Sequence, residues 1–579
     1  MISVERSFYE KFPQFAEGRA RSFAQPVVEL LRRVACEERI NATLAAAAPL
    51  SGFDFVERVL EQFHISYSVA NTDRENIPVD GRVVIVANHP LGALDALALI
   101  DLVGSVRRDV KILANDILMQ LEPLSSLLLP LPVFRAGSAL GGAREAYRAL
   151  ERDSALIVFP SGEVSRIHPL GVRDTAWSPG FARLALKTGA PVLPVRIAAQ
   201  NSPMFYGVSM LAKPLASLLL AREMFGAANA RARIGFNVGE LVLGKALADS
   251  GLTPKQIAAQ MRRHVYRLAR RRPTVFPTSA AVAHPESPIA VRRALERAER
   301  LGETQDGKAI LLLDAEKDCA AMREIGRLRE LAFRRVGEGT GARRDLDRFD
   351  GHYRHLVLWD DSALAIVGAY RFGEAGTILR ERGTGGLYSS TLFEYADPVP
   401  AFLHDAVELG RSFVQPAYWG SRSLEYLWQG IGAYLRARPD VRYLFGPVSL
   451  SAALPGPARE WIAHYHRHYF SGGDGLARAR NPFVISREVE RAADAEWAGR
   501  SPAESLSRLR DRLGTFDAQL PTLYRQYVDL CEPEGVRFLD FGVDPSFGGC
   551  VDGLVRLDIR HLRAVKRARY LKETVARAR

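Results

Sequence analysis

Between residues 82 and 239, five short apolar runs alternate with longer stretches of helical spacing: RVVIVAN (82–88), VKILAN (110–115), ALIVFP (155–160), PVLPVRI (191–197) and ARIGFNVG (232–239). Strands that alternate with helices predict an α/β layer fold, with helices covering both faces of the sheet. The pattern begins again at KAILLLD (308–314). A strand pair follows, HLVLWD (355–360) and ALAIVGAYRF (363–372), then LYSSTLFEY (387–395), AVELGRSFV (406–414), a helix across 423–437 and YLFGPVSL (443–450). Two late strands, VRFLDFGVD and CVDGLVRLDI, close the second series. Before residue 82 the spacing in PVVELLRRVA and FDFVERVLEQF predicts helices.

At 579 residues the chain exceeds one ordinary core, so two α/β domains are expected. The Pro-, Ser- and Ala-rich stretch PTVFPTSAAVAHPESP (273–288) marks the connection. This divides the chain into a first domain over 1–272, a linker over 273–307 and a second domain over 308–579. The two halves differ in pattern, and no internal repeat is visible.

Hydrophobic residues make up 47% and charged residues 25%, a globular balance. Cys36, Cys319, Cys531 and Cys550 lie far apart without a C-x-x-C pair, which argues against a disulfide framework or zinc site and fits a reducing cytoplasm. No metal is expected. The opening MISVERSFYEKFPQF has acids and no apolar core, unlike a secretory signal. The apolar stretches 121–134 and 211–221 are interrupted by Pro, Ser or Lys, so they suit a lipid tunnel or a bilayer interface rather than a span. Net charge is +12, with six arginines in 262–272 and nine Lys/Arg against two acids from Arg556 to Arg579. Such a surface suits anionic lipid headgroups or an acidic carrier protein. No nucleic-acid-binding motif accompanies it, so nucleic acid is not an expected partner.

Two constellations carry chemistry. RVVIVAN runs into HPLGALDALALIDLVG, placing His89 where a buried strand ends and Asp95 in the helix that follows, the usual ligand-binding edge of an α/β sheet. A histidine there can take a proton from a hydroxyl while a carboxylate fixes its tautomer. Asn88 adds a polar side chain at the turn, and a second Gly-containing turn, SGEVSR, follows ALIVFP with Ser161, Gly162 and Glu163. In the second half, Arg329 and Phe333 share a helix face, DLDRFD places Asp347 and Asp350 three apart, Arg371 ends a strand, and ELGRSFV carries Glu408 and Arg411. Singly, each has an ordinary explanation as a helix salt bridge, a solvated acidic loop or a strand-end charge.

The order Asn-His…Asp, Phe-Pro-x-Gly with a Ser, then Pro-Val-x-Pro-Val resembles the glycerolipid acyltransferases over roughly residues 50–245. The resemblance implies His89 as general base, Asp95 as its orienting partner and an acyl thioester donor. It departs from the family in having five residues between His and Asp, and Ser161 in place of the usual acid. Since that region holds an acceptor phosphate in the family, an acceptor without phosphate is implied. Arg135 stands where the family has its acceptor-binding basic residue. The second constellation resembles the acyl-homoserine-lactone synthases and the related amino-acid N-acyltransferases of ornithine-lipid synthesis, which have a GNAT-like fold, over about 310–450. That resemblance implies an acyl-carrier-protein thioester donor, no resident cofactor and an amine acceptor. Its site would comprise Arg329, Phe333, Asp347, Asp350, Arg371, Glu408 and Arg411. Glu408 is the candidate catalytic acid–base, although Asp347 and Asp350 are open to the same part, and the arginines either hold a carboxylate or brace the acids. RSFVQPAYWGSRSLEY has one glycine where GNAT enzymes carry a Gly-rich pyrophosphate loop, which favours a carrier protein over coenzyme A.

Together the halves resemble the bifunctional ornithine lipid synthases. The implied sequence is N-acylation of an amino acid, ornithine first among candidates, by the second half. O-acylation of the resulting 3-hydroxyl by the first half follows, on the cytoplasmic membrane face. Two alternatives remain: a phosphatidic-acid-type acyltransferase with an accessory GNAT-like domain, and a non-catalytic scaffold docking carrier proteins or membranes. HYHRHYF (464–470) offers a histidine pair four apart, read as surface or interface histidines. Asp544 and Asp552 in the late hairpin are read as turn-forming acids.

Overall fold

The computed structural model describes all residues except 1–2, 12, 16–17, 35, 48, 115–118, 120, 131–138, 169–170, 212–232, 270–272, 315–318, 473–474 and 572–579. It divides into two compact units, Met1–His284 and Pro285–Arg579. Both are α/β, as the alternating pattern requires.

In the first unit, β1 (Ser66–Val69), β2 (Val83–Ala87), β3 (Val110–Ala114), β4 (Leu128–Pro130), β5 (Ala155–Val158), β6 (Val192–Ala198) and β7 (Arg233–Val238) form one sheet in the order β1-β7-β6-β2-β5-β3-β4. Strand β2 lies at its centre, parallel to β5 and β6, with Val84 opposite both Leu156 and Val192. Its residues alternate between two cores. Val83, Ile85 and Ala87 pack with helices α1 (Gly52–Gln62) and α2 (Ala93–Gly104). Val84 and Val86 pack with α3 (Gly180–Thr188) and α4 (Pro254–Leu268). A strand buried on both faces has no use for polar side chains, which is why β2 reads as unbroken aliphatics. Part of the apolar stretch 121–134 is a sheet edge, since β4 pairs with β3. Residues 131–134 and 212–221 lie outside the described residues. No helix among the described residues is long and apolar enough to cross a membrane.

The second unit carries β8 (Glu299–Glu303), β9 (Ala309–Asp314), β10 (Arg354–Asp360), β11 (Ala365–Glu374), β12 (Ala406–Val414), β13 (Tyr443–Leu450), β14 (Val536–Asp544) and β15 (Cys550–Asp558), ordered β8-β9-β10-β11-β12-β13-β15-β14. Helix α5 (Ala320–Arg335) covers one face and α6 (Ser423–Ala437) the other. The expected linker 273–307 is in part folded. Its later half forms helix Pro288–Leu295, with Val291 and Leu295 buried in the α5 core, and strand β8, which pairs with β9. The Pro/Ser composition that suggested a connector caps the helix at Ser287–Pro288 instead.

Two irregularities shape the second site. All neighbours in this sheet are antiparallel except β12 and β13, which pair only over Ala406–Glu408 and Tyr443–Phe445 and then part. A Cβ on Gly446 would lie 2.1 Å from the Leu409 carbonyl oxygen, so only glycine fits where the strands separate. Between β11 and β12, Arg371 faces Gly410 and Ala369 faces Phe413. Arg411 and Ser412 therefore stand opposite the single residue Tyr370, a β-bulge, with Arg411 at φ 49°. Bulges re-aim side chains, and this one turns β12 at Arg411.

Candidate functional site

The strand–turn–helix from β2 to α2 builds the first site. Gly92, at φ 85° and ψ −124°, turns the chain through a conformation other residues avoid and caps α2. Asp95 in the first helical turn then reaches back along the turn. Its Oδ2 accepts a hydrogen bond from the Leu91 N–H (2.7 Å), and its Oδ1 lies 2.8 Å from Nδ1 of His89. The positive end of the helix favours a buried carboxylate there. With Nδ1 toward a carboxylate, the imidazole carries its proton on that side and presents Nε2, for which no described residue supplies a partner. Burial disfavours the imidazolium, but the charges of Asp95 and Asp174 outweigh it and hold the His89 pKa above 6.5.

The exit of β5 closes around this ring. Phe159 stacks on His89 with centroids 4.1 Å apart, and the Ser165 N–H donates to the His89 carbonyl (2.8 Å). Ser161, Gly162 and Glu163 form the tight turn between them. Gly162 has φ 65°, the Ser161 hydroxyl donates to the Glu163 carbonyl, and Glu163 pairs with Arg166 at 3.0 Å. Asn88 points away from chemistry and clasps β6, donating to the Ile197 carbonyl (2.9 Å) and accepting from its N–H (2.7 Å). Arg135 lies outside the described residues. Sequence reading missed Asp174. Its Oδ1 accepts from the His89 N–H (3.2 Å) and the Ser165 hydroxyl (2.5 Å), and its Oδ2 from Trp177 Nε1 (2.8 Å). Arg262, one of the six arginines in 262–272, donates to the Asp174 carbonyl at 2.6 Å.

In the second unit the expected residues do converge, but in two layers. Behind the strands lies a buried charge network. Arg329 donates to Asp350 Oδ1 (2.8 Å) and contacts His355 Nδ1 (3.1 Å), while Arg371 donates to Asp347 Oδ1 (2.7 Å) and Asp350 Oδ1 (3.2 Å). Asp347 and Asp350 also form a reciprocal capping box on the turn Arg348–Gly351. The two arginines hold the Asp350 carboxyl far below its ordinary range despite burial, and burial beside Arg329 pushes His355 down to about 3. Asp350 is thus a fixed anion and His355 a neutral acceptor at neutral pH.

Glu408 has a different place from the one expected of a proton-transfer residue. It accepts from the Tyr353 hydroxyl and from the N–H groups of Tyr388 (3.1 Å) and Ser389 (2.6 Å), and it does not line the cavity described below. Its oxygens pin the 387–390 turn. Arg411 comes forward from the bulge. Its Nε lies 3.0 Å from Asp345 Oδ2, its Nη1 donates to the Tyr388 hydroxyl (3.0 Å), and its guanidinium rests 4.8 Å from the centroids of both Tyr388 and Phe547.

In front of this network, where β12 and β13 part, opens a cavity of about 630 Å³. Phe333 and Arg411 line it, whereas Arg329, Asp347, Asp350 and Arg371 do not. Its wall adds apolar groups from Phe413 to Trp419 and three acids: Glu338, Asp544 and Asp552. Glu338 accepts from the Ser449 hydroxyl (3.0 Å), and Asp544 from the Ser546 N–H (2.8 Å). Burial, with Asp544 and Glu338 nearby, lifts the Asp552 pKa to about 7.

The first unit matches the acyltransferase family model over residues 6–271, and the second matches the acetyltransferase (GNAT) domain over 328–429. A lyso-glycine lipid O-acyltransferase of Bacteroides thetaiotaomicron is 30% identical over 276 residues, 46% of this chain and 97% of that protein. A glycine N(alpha)-acyltransferase of the same organism is 27% identical over 305 residues, 50% of this chain and 89% of that protein. An L-ornithine N(alpha)-acyltransferase of Rhodobacter capsulatus is 30% identical over 211 residues, 34% of this chain and 79% of that protein.

The chain belongs to the lipid acyltransferases. In this lipid acyltransferase an acyltransferase unit precedes a GNAT-like unit, as the order of motifs implied. Of the histidines read as surface or interface residues, His468 is exposed, whereas His464 and His466 are buried. His464, on helix Gly456–Phe470, accepts from Trp497 Nε1 (3.1 Å), and His466 is buried among Tyr524 and Phe538. No His/Cys/Asp/Glu group among the described residues is arranged to hold a metal ion.

Proposed function

We propose that the lipid acyltransferase makes an amino-acid-containing membrane lipid by two successive acyl transfers. The GNAT-like unit N-acylates an amino acid, with ornithine as the leading candidate, from a 3-hydroxyacyl carrier-protein thioester. The first unit then esterifies the new 3-hydroxyl with a second acyl thioester. His89 Nε2 takes the proton of that hydroxyl, Asp95 holds the ring and favours the imidazolium, and Asp174 fixes the turn that carries it. In the GNAT-like unit the thioester enters where β12 and β13 part, with Arg411 and Phe333 at the reacting end and apolar wall for the chain.

The observation that carries this reading is the fusion itself. Two proteins of one organism, named for N-acylation of glycine and O-acylation of the lyso-glycine lipid, each match about half of this chain. An acidic carrier protein suits the +12 chain, and the single glycine in 411–426 offers no pyrophosphate cradle. The same charge suits a peripheral place on the anionic cytoplasmic membrane face. Lipid mass spectrometry of a heterologous host expressing the chain tests the proposal. A new phosphorus-free lipid with an amide-linked 3-hydroxy chain and an ester-linked second chain is expected. Only new phosphatidic acid, or no new lipid at all, would overturn it.

A further inference from the structure

Of the acids on the cavity wall, Asp544 and Asp552 were read from the sequence as turn-forming acids and Glu338 was passed over, and three observations give all three a task. Glu338 follows α5, while Asp544 and Asp552 sit on neighbouring strands of the β14–β15 hairpin. All three are nine-tenths or more buried, yet all line the same 630 Å³ cavity. Asp552 lines the cavity and has a single hydrogen-bond donor among the described residues, the weak Cys550 thiol at 3.6 Å on Oδ2, which leaves its other oxygen without a described donor. Arg411, the cation on this wall, already has Asp345 and Asp347 beside it at 3.0 and 3.7 Å. The cavity therefore presents unneutralised carboxylates to whatever enters, at the place where the strands open for the thioester.

We propose that Glu338, Asp544 and Asp552 form the subsite that holds the ammonium groups of the acceptor amino acid, and that Asp552 takes the proton from the attacking nitrogen. This rests on the N-acyltransferase reading of the second unit. The Asp552 carboxylate removes one proton from the α-ammonium. The freed lone pair attacks the thioester carbonyl carbon, forming the C–N bond as the C–S bond breaks. The second nitrogen proton passes to the departing thiolate, and Asp552 returns its own to solvent. Glu338 and Asp544 take no part in the proton transfer. With one acid used at the α-nitrogen, an acceptor with a second ammonium group neutralises the pair, whereas glycine leaves them buried and uncompensated. Asp552 is faced by Asp544, Glu338, Cys550, Arg411 and Tyr524, and burial together with the two acids lifts its pKa to about 7, the range in which a base works at neutral pH.

The test uses the full chain with a 3-hydroxyacyl carrier-protein thioester and ornithine, lysine or glycine as acceptor. Esterification of supplied lyso-lipid by the first unit, together with the circular dichroism spectrum, reports that each variant is folded. Glu338→Gln and Asp544→Asn are expected to raise the KM for ornithine and lysine about tenfold or more, with little change for glycine. Asp552→Asn is expected to lower kcat about a hundredfold or more and to remove the rise of kcat/KM through pH 7, which Asp552→Glu partly restores. Wild-type N-acylation with all three neutral variants unchanged in KM, kcat and pH profile would overturn the subsite and leave the reaction assignment standing. Wild-type protein that N-acylates no amino acid, while its first unit still esterifies lyso-lipid, would overturn both.

Discussion

The two candidate sites stabilise charge in opposite ways. In the first unit a two-residue contact, His89 to Asp95, is made within one strand–turn–helix and tied down by neighbouring backbone groups. In the second unit three arginines and three aspartates, drawn from separate elements, neutralise one another behind the cavity. A local dyad can lose its chemistry while its strand and helix persist. A buried network cannot lose a member without leaving an uncompensated charge, so its residues serve the fold first. The residues that brace the fold and those that line the cavity are largely different there, and only the front of the network meets the cavity.

The sharpest way to break this contrast is His89→Ala. O-acylation of lyso-lipid is expected to fall about 10²- to 10⁴-fold while N-acylation holds and the first unit stays folded, as followed by thioester turnover and circular dichroism. Asp350→Ala should do the reverse. Two buried arginines lose their shared partner, and the second unit should lose about 3–5 kcal/mol in denaturant unfolding, with N-acylation lost through the fold rather than the chemistry.

A pH profile sharpens the dyad. Catalysis needs neutral His89, whose pKa is held above 6.5, so the rate of O-acylation should rise with pH to a half-maximum above 6.5. The stability this contact gives runs the other way, complete below pH 6.5 and lost as pH rises through the folded pKa. Asp95→Asn leaves burial dominant, and the half-maximum of the residual rate should drop. The smallest effect is expected at Tyr388→Phe, which removes one acceptor from Arg411. That change should weaken N-acylation by about 1 kcal/mol, some fivefold in kcat/KM, with no effect on O-acylation.

The same contrast explains what the sequence could reveal. His89 and Asp95 are legible because the strand, turn and helix that join them are contiguous, and the five-residue spacing is accommodated by Gly92. Asp174 gave no signal, for its role depends on the paired segments Arg166–His168 and Gly171–Arg173, which bring it back to the His89 N–H. In the second unit Arg329, Asp347, Asp350 and Arg371 were placed together by their order, but nothing local separates a bracing arginine from one that faces a ligand. The bulge at Arg411 makes that separation, and a bulge is a property of register between strands. Glu338 was invisible for the same reason, since Asp544 and Asp552 reach it only after the hairpin folds back. The helix Pro288–Leu295 was hidden by composition, because Pro and Ser mark a helix start as readily as a linker.

Mixing two disabled proteins tests the central claim most directly. His89→Ala and Arg411→Ala forms of the full chain, each inactive for diacyl product alone, are combined with ornithine and acyl carrier-protein thioesters, and lipids are followed by mass spectrometry. Two separate sites acting in sequence predict that the mixture makes the diacyl lipid through released lyso-lipid. Diacyl product from the His89→Ala protein alone, or none from a mixture in which lyso-lipid accumulates, would contradict it.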